Sequence, residues 1–166
     1  MKTLLIVRHA KSSWEHPELP DHDRPLLEKG KKRTKKIIDF LLTKKIKPDF
    51  VISSSATRSR ETARFIAKAL GFPKDDIKFD PTLYHADSNR LFDQFLDMSD
   101  DYKTIMMVGH NPTLTNFVNN FLQPPIDWLP TSGVVCLSFE TDKWETLRDS
   151  PSKVEFIVFP KLLKEE

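Results

Sequence analysis

Thr3-Leu4-Leu5-Ile6-Val7, followed at once by Arg8-His9-Ala10, is the stretch whose reading decides the fold. A compact run of leucine and β-branched residues, cut off by a charged loop, reads as a buried strand. It is too short for the apolar core of a signal peptide or for a membrane span. The loop after it, 8–24, is long and carries Pro17 and Pro20. Beyond Pro25, residues 26–43 set Leu27, Thr34, Ile37, Ile38, Leu41 and Leu42 at the spacing of an amphipathic helix, despite Gly30 near its start. Residues 50–53 read as a second strand. Residues 56–70 read as a helix with an inner stripe of Ala63, Ile66, Ala67 and Leu70. Ser54 or Ser55 is placed to cap that helix, and Gly71 with Pro73 ends it.

Strand and helix go on alternating. Residues 77–79 suggest a weak strand, and 88–98 a helix opened by Asp87 or Ser88. Residues 104–108 form a strong strand, and 113–122 a helix with Pro112 at its opening. After that, 134–139 and 154–159 read as an antiparallel pair joined by the polar stretch 142–152. The pattern predicts an α/β fold, a three-layer α/β/α sandwich around a mostly parallel sheet. With 166 residues, no internal repeat and no linker, 1–166 is expected to be one domain.

Composition narrows the function. Hydrophobic residues make up 39% and charged residues 30%, enough apolar content for a core and too much for a disordered chain. The formal net charge is only +2, so nothing in the global field calls for nucleic acid. The densest basic stretch, 29–36 with Arg33 inside it, reads as the solvated face of the first helix. Cys136 is the one cysteine and lies in an apolar run, a small buried hydrophobe that implies no oxidising compartment. A cytoplasmic protein with no membrane partner is expected.

In open α/β sheets, ligands bind outside the carboxyl ends of the strands. Three strand ends here carry groups that suit phosphate: Arg8 and His9, then Ser54 and Arg58, then Gly109-His110-Asn111. Arginine presents a planar fork of donors that matches phosphate oxygens and stays charged. Two histidines in one pocket can take opposite roles. His9 is assigned as nucleophile, His110 as its electrostatic partner, and Arg8 and Arg58 as the phosphate clamp.

These residues carry a resemblance. Leu5-Ile6-Val7-Arg8-His9-Ala10, the run from Ser53 through Arg58 to Thr62, and Val108-Gly109-His110-Asn111-Pro112 resemble the signatures of the histidine phosphatase superfamily, whose fold is phosphoglycerate mutase-like. Arg8-His9-Ala10-Lys11-Ser12 with Asp23-Arg24-Pro25-Leu26 resembles its small SixA-like branch, known for phosphohistidine phosphatases. The resemblance implies a phosphoenzyme on His9, with Arg8, Arg58 and His110 around the phosphoryl group and Arg24 as a further substrate-binding arginine. No cofactor and no metal are implied. The substrate is then a phosphorylated protein, a phosphohistidine, or a small phosphorylated molecule.

Two absences refine the substrate. Asn111 stands where one large branch of the superfamily carries an aspartic acid, and no glutamate precedes a glycine-rich turn. Asp87, His85 and Glu61 are the substitutes to consider. An alkoxide leaving group needs a proton, whereas phosphohistidine releases an imidazole and needs a dedicated acid less. The segments 24–50 and 70–88 leave no room for a cap domain, so the pocket is expected to be open, suiting a protein-borne phosphoryl group. Two other readings compete. His9, His16, Asp21, His22 and Asp23 could hold a metal for hydrolysis, or the chain could bind phosphorylated partners without turning them over.

Overall fold

The computed structural model describes residues 1–13 and 18–163. Six strands form one sheet: β1 (Lys2–Arg8), β2 (Phe50–Ser54), β3 (Lys78–Asp80), β4 (Thr104–Gly109), β5 (Val134–Phe139) and β6 (Ser152–Val158). Their order is β3-β2-β4-β1-β5-β6. The first four run parallel, and β5 is antiparallel to both β1 and β6. The mostly parallel sheet and its antiparallel edge are as expected from the sequence.

Alternation along the strands divides the core in two. Leu4 and Ile6 of β1, Ile105 and Met107 of β4, and Val135 and Leu137 of β5 face one side. Leu5 and Val7, Met106 and Val108, and Val134 and Cys136 face the other. Covered on both faces, these strands have no polar side to show, which is why they read as continuous apolar runs. Two helices cover the second face. From α1 (Glu28–Thr43) come Ile37, Ile38 and Leu41, and from α2 (Thr57–Ala69) come Ala63, Ile66 and Ala67. On the first face α3 (Ser88–Asp93) and α4 (Thr113–Val118) contribute Leu91, Phe92, Leu114 and Phe117. The three layers are complete, and among the described residues no cap domain stands over them.

Gly30 is more than tolerated in α1. A Cβ there would lie 2.6 Å from the Lys11 carbonyl oxygen, so the absence of a side chain lets the helix press against the backbone that follows His9. Leu27 N donates to the same carbonyl at 2.9 Å, and Leu26 bridges Ser12, which is why the helix starts at Glu28 and not at 26.

The other two helices of the first face end early. In α3 the bonds tighten after Asp93 to the i→i−3 pattern, Phe95 N to Phe92 O and Leu96 N to Asp93 O, and Phe95 stacks on buried Trp144 at 5.7 Å. In α4 the Asn119 amide exchanges two 2.9 Å hydrogen bonds with the Ile126 backbone, recruiting the next segment in place of another turn. Pro112 is the N-cap of α4, one position before its first turn. The polar stretch before β6 holds a 3-10 helix, Trp144–Asp149, anchored by Trp144 Nε1 donating to the Tyr102 carbonyl at 2.7 Å. Among the described residues no helix is long and apolar enough to cross a membrane.

Candidate active site

The carboxyl ends of β1, β2 and β4 lie side by side because these strands are neighbours, with Arg8 paired to Gly109 and Ser53 to Val108. His9, Arg58 and His110 are all buried there, and the two imidazole rings are 5.2 Å apart. Backbone bonds fix the turn after β1: His9 N donates to Gly109 O at 3.1 Å, Ser132 N donates to the carbonyls of Arg8 and His9, and Ala10 N donates to Thr62 Oγ1 at 2.9 Å.

His9 Nδ1 lies 2.8 Å from the Ala10 carbonyl oxygen. A carbonyl can only accept, so Nδ1 carries the hydrogen and the lone pair of the neutral ring sits on Nε2. Burial first, then the positive charges of Arg58, Arg8 and Arg24, lower the His9 pKa to about 3 against the opposing Ala10 hydrogen bond. His110 is also lowered to about 3, by burial first and then by His9 and Arg58. Both rings are therefore neutral at pH 7, including the one assigned from sequence as an electrostatic partner.

His110 Nε2 pairs with Ser54 Oγ at 2.7 Å and more loosely with Ser59 Oγ at 3.3 Å. Ser55 Oγ pairs with His22 Nε2 at 2.9 Å. Neither serine caps α2, as the sequence had suggested; the N-cap is Ala56, with no side-chain cap, and the hydroxyls orient imidazoles instead. Asn111 serves structure: its Nδ2 donates to Leu129 O and its Oδ1 accepts from Thr115. Arg8 Nη1 reaches the same Leu129 carbonyl at 3.1 Å, and the Arg8 guanidinium lies 5.7 Å from the ring of Trp128, which is 52% exposed.

Arg24 and Arg58 meet at Asp21, on the 3-10 turn Asp21–Asp23. Arg24 Nε donates to Asp21 Oδ1 at 3.0 Å, Arg58 Nη2 to Oδ2 at 3.1 Å, and Arg58 Nη1 to the Asp21 carbonyl at 2.8 Å. The Tyr84 hydroxyl donates to Oδ2. Desolvation opposes ionisation of Asp21, but Tyr84 and the two arginines outweigh it and hold the carboxyl at about 2. Arg24 also reaches Ser12 Oγ at 2.8 Å and is buried. It belongs to the cluster and is no surface arginine.

The structure brings Arg8, His9, Arg58, His110 and Arg24, the residues singled out in the sequence, into one region; Asp21 stood in the sequence only as a candidate metal ligand, and Tyr84 and Trp128 were not singled out. The spacing Asp21-x-x-Arg24 was the available signal, since three residues apart in a helical turn puts side chains together. Among the described residues no group of three or more His, Cys, Asp or Glu is placed to hold a metal ion; His16 lies outside the described residues. Of the acid substitutes, Asp87 is the N-cap of α3, accepting from Arg90 N at 2.9 Å. His85 is exposed, and Glu61 is half-buried on α2.

Three kinds of similarity bear on this geometry. The family model described as histidine phosphatase superfamily (branch 1) matches residues 4–91, more than half of the chain. An uncharacterized chloroplastic protein of Arabidopsis thaliana is 34% identical over 118 residues, 66% of this chain. The chain spans about half (54%) of that relative's length. Among solved structures, the putative phosphohistidine phosphatase SixA of Agrobacterium tumefaciens superposes with a TM-score of 0.78 at 25% identity, over 95% of this chain and 97% of that one. The protein histidine phosphatase SixA complexed with tungstate gives 0.81 at 18% identity, over 98% and 99%, a likeness of fold.

Proposed function

We propose that this chain, which belongs to the histidine phosphatase superfamily (branch 1), is a phosphatase that works through a phosphohistidine intermediate on His9 and acts on protein phosphohistidine. The observation that carries this reading is the His9 Nδ1 bond to the Ala10 carbonyl, which leaves Nε2 as a neutral, unprotonated nucleophile beside three arginines. In the first step Nε2 forms a bond to phosphorus as the bond to the leaving group breaks. In the second, water takes the phosphoryl group and His9 is regenerated. Arg8, Arg58 and Arg24 neutralise the phosphoryl oxygens. An entering dianion raises the pKa of His110, so its positive charge develops where the phosphoryl group needs it.

The leaving group argues for phosphohistidine. Asp21, the carboxyl group nearest the clamp, is held ionised, and Tyr84 is held above the ordinary phenol range by burial first and then by Asp21. Neither is tuned to protonate an alkoxide. A site without a cap, with Trp128 half exposed at Arg8, suits a phosphoryl group presented by a protein. We read 1–166 as one such domain. We propose a cytoplasmic location, with which the one cysteine, Cys136, a buried free thiol, is compatible.

Labelled phosphate trapped on the protein should appear in the wild type and vanish in His9→Ala. Comparing kcat/KM on a phosphohistidine peptide with that on an alkyl phosphate then tests the substrate. Equal rates would mean that an unrecognised acid serves the leaving group, with Asp87, His85 and Glu61 the first positions to test, and would overturn the substrate assignment.

A further inference from the structure

Arg58 binds Asp21 in a particular way. Its Nη1 holds the Asp21 backbone carbonyl, while Nη2 holds the carboxylate, and its Nε is buried with no hydrogen-bond partner among the described residues. Nε and Nη2 share one edge of the guanidinium, the edge that pairs with two oxygens of a phosphoryl group. The carboxylate therefore occupies half of the edge that a substrate would use. Arg24 meets the same carboxylate through Nε.

We propose that Asp21 is a specificity-determining internal competitor: its carboxylate holds the anion position on Arg58 and Arg24, and only a doubly charged phosphoryl group displaces it. The inference rests on the reading of these arginines as a phosphate clamp. The turn that carries Asp21 has no buried residue, and the Asp21 side chain is 48% exposed, so the carboxylate can swing into water without opening the core. The bond from Arg58 Nη1 to the Asp21 carbonyl does not depend on the side chain. It keeps Arg58 in place while Nη2 joins Nε on the incoming oxygens. A singly charged anion, such as a phosphodiester or a carboxylate, gains no more from the arginines than Asp21 already supplies. A dianion gains more. The strongly acidic Asp21 carboxyl supports this, since the competitor keeps its charge across the neutral range.

The opposite possibility is that Asp21 positions the two arginines, and the two predict opposite signs. Inorganic phosphate binding is measured by calorimetry at about pH 8, where it is a dianion, for the wild type and for Asp21→Asn. The asparagine keeps the shape, loses the charge and cannot accept from both arginines. Binding about 5- to 10-fold tighter in the variant is expected, the scale of partly exposed ion pairs removed, together with newly measurable binding of the monoanion dimethyl phosphate. Equal or weaker phosphate binding in Asp21→Asn overturns the competitor and leaves the clamp standing. No phosphate binding to either protein overturns both. Should Asp21→Asn not fold, Tyr84→Phe decides: it removes one hydrogen bond from the carboxylate, and about 2- to 3-fold tighter phosphate binding is expected. An unchanged or weakened affinity sinks the proposal.

Discussion

The wall of the pocket that carries His9, Arg58 and His110 grows out of the sheet, whereas the wall that carries Asp21 and Arg24 is anchored in a surface turn. On the first wall each side chain follows a buried strand or opens a helix packed on one, and the His9 backbone N–H is bonded to Gly109 O at the neighbouring strand end. On the second, no residue of the 3-10 turn is buried, and its hold on the first wall includes two hydrogen bonds from the Arg58 guanidinium to Asp21 and one between His22 Nε2 and Ser55 Oγ. The sheet supplies a rigid place for chemistry. The turn supplies charge that can be exchanged with an incoming anion.

That contrast orders the consequences of substitution. His9→Ala should abolish turnover with the fold intact, because the ring sits past the end of β1 and outside both halves of the core. Residual hydrolysis at a substantial fraction of wild-type rate would move the nucleophile elsewhere. Arg58→Ala and Arg8→Ala should each slow the reaction by roughly 10²–10³, the scale of losing one preorganised donor. Steady-state kinetics giving near-normal rates would remove that arginine from the clamp.

A smaller effect lies in acid stability. His9 and His110, near 6.5 when unfolded, titrate at about 3 in the folded protein. The unfolded chain thus binds more protons between those values, so stability is full above about pH 6.5 and falls as pH drops toward 3. Asp21 adds a separate loss at lower pH, between its unfolded value of 3.8 and about 2. The midpoint of urea unfolding, followed from pH 7 to 4.5, should fall less in His110→Asn than in the wild type, and equal slopes would contradict the burial of that ring. At the small end, Arg64→Ala should leave kcat/KM unchanged. Arg64 lies on α2 one turn and a half beyond Arg58, exposed and stacked at 5.0 Å on Phe79. A loss comparable to that of Arg58→Ala would mean the clamp extends along α2.

Arg8, His9, Arg58 and His110 were legible in the sequence because each directly follows an apolar strand or opens the helix after one. Strand ends can be counted without knowing which strands are neighbours. The parallel core and the antiparallel edge were legible for the same reason, since local apolar runs and the spacing between them survive in one dimension. The early ends of α3 and α4 were not. They depend on Phe95 meeting Trp144 and Asn119 meeting Ile126, contacts made only when distant segments pack.

By itself, then, the sequence determined an α/β sheet with basic and histidine side chains gathered at its strand ends, because chain-local periodicity sets which residues are buried. Only the tertiary structure decided the order β3-β2-β4-β1-β5-β6, and with it which ends touch. It also decided the tautomer of His9, the neutrality of both imidazoles, and the seat of Asp21 across Arg24 and Arg58. These depend on distance and desolvation between groups far apart in the chain. Asp21 is 37 residues from Arg58 and 63 from Tyr84, and no local pattern records that the three meet.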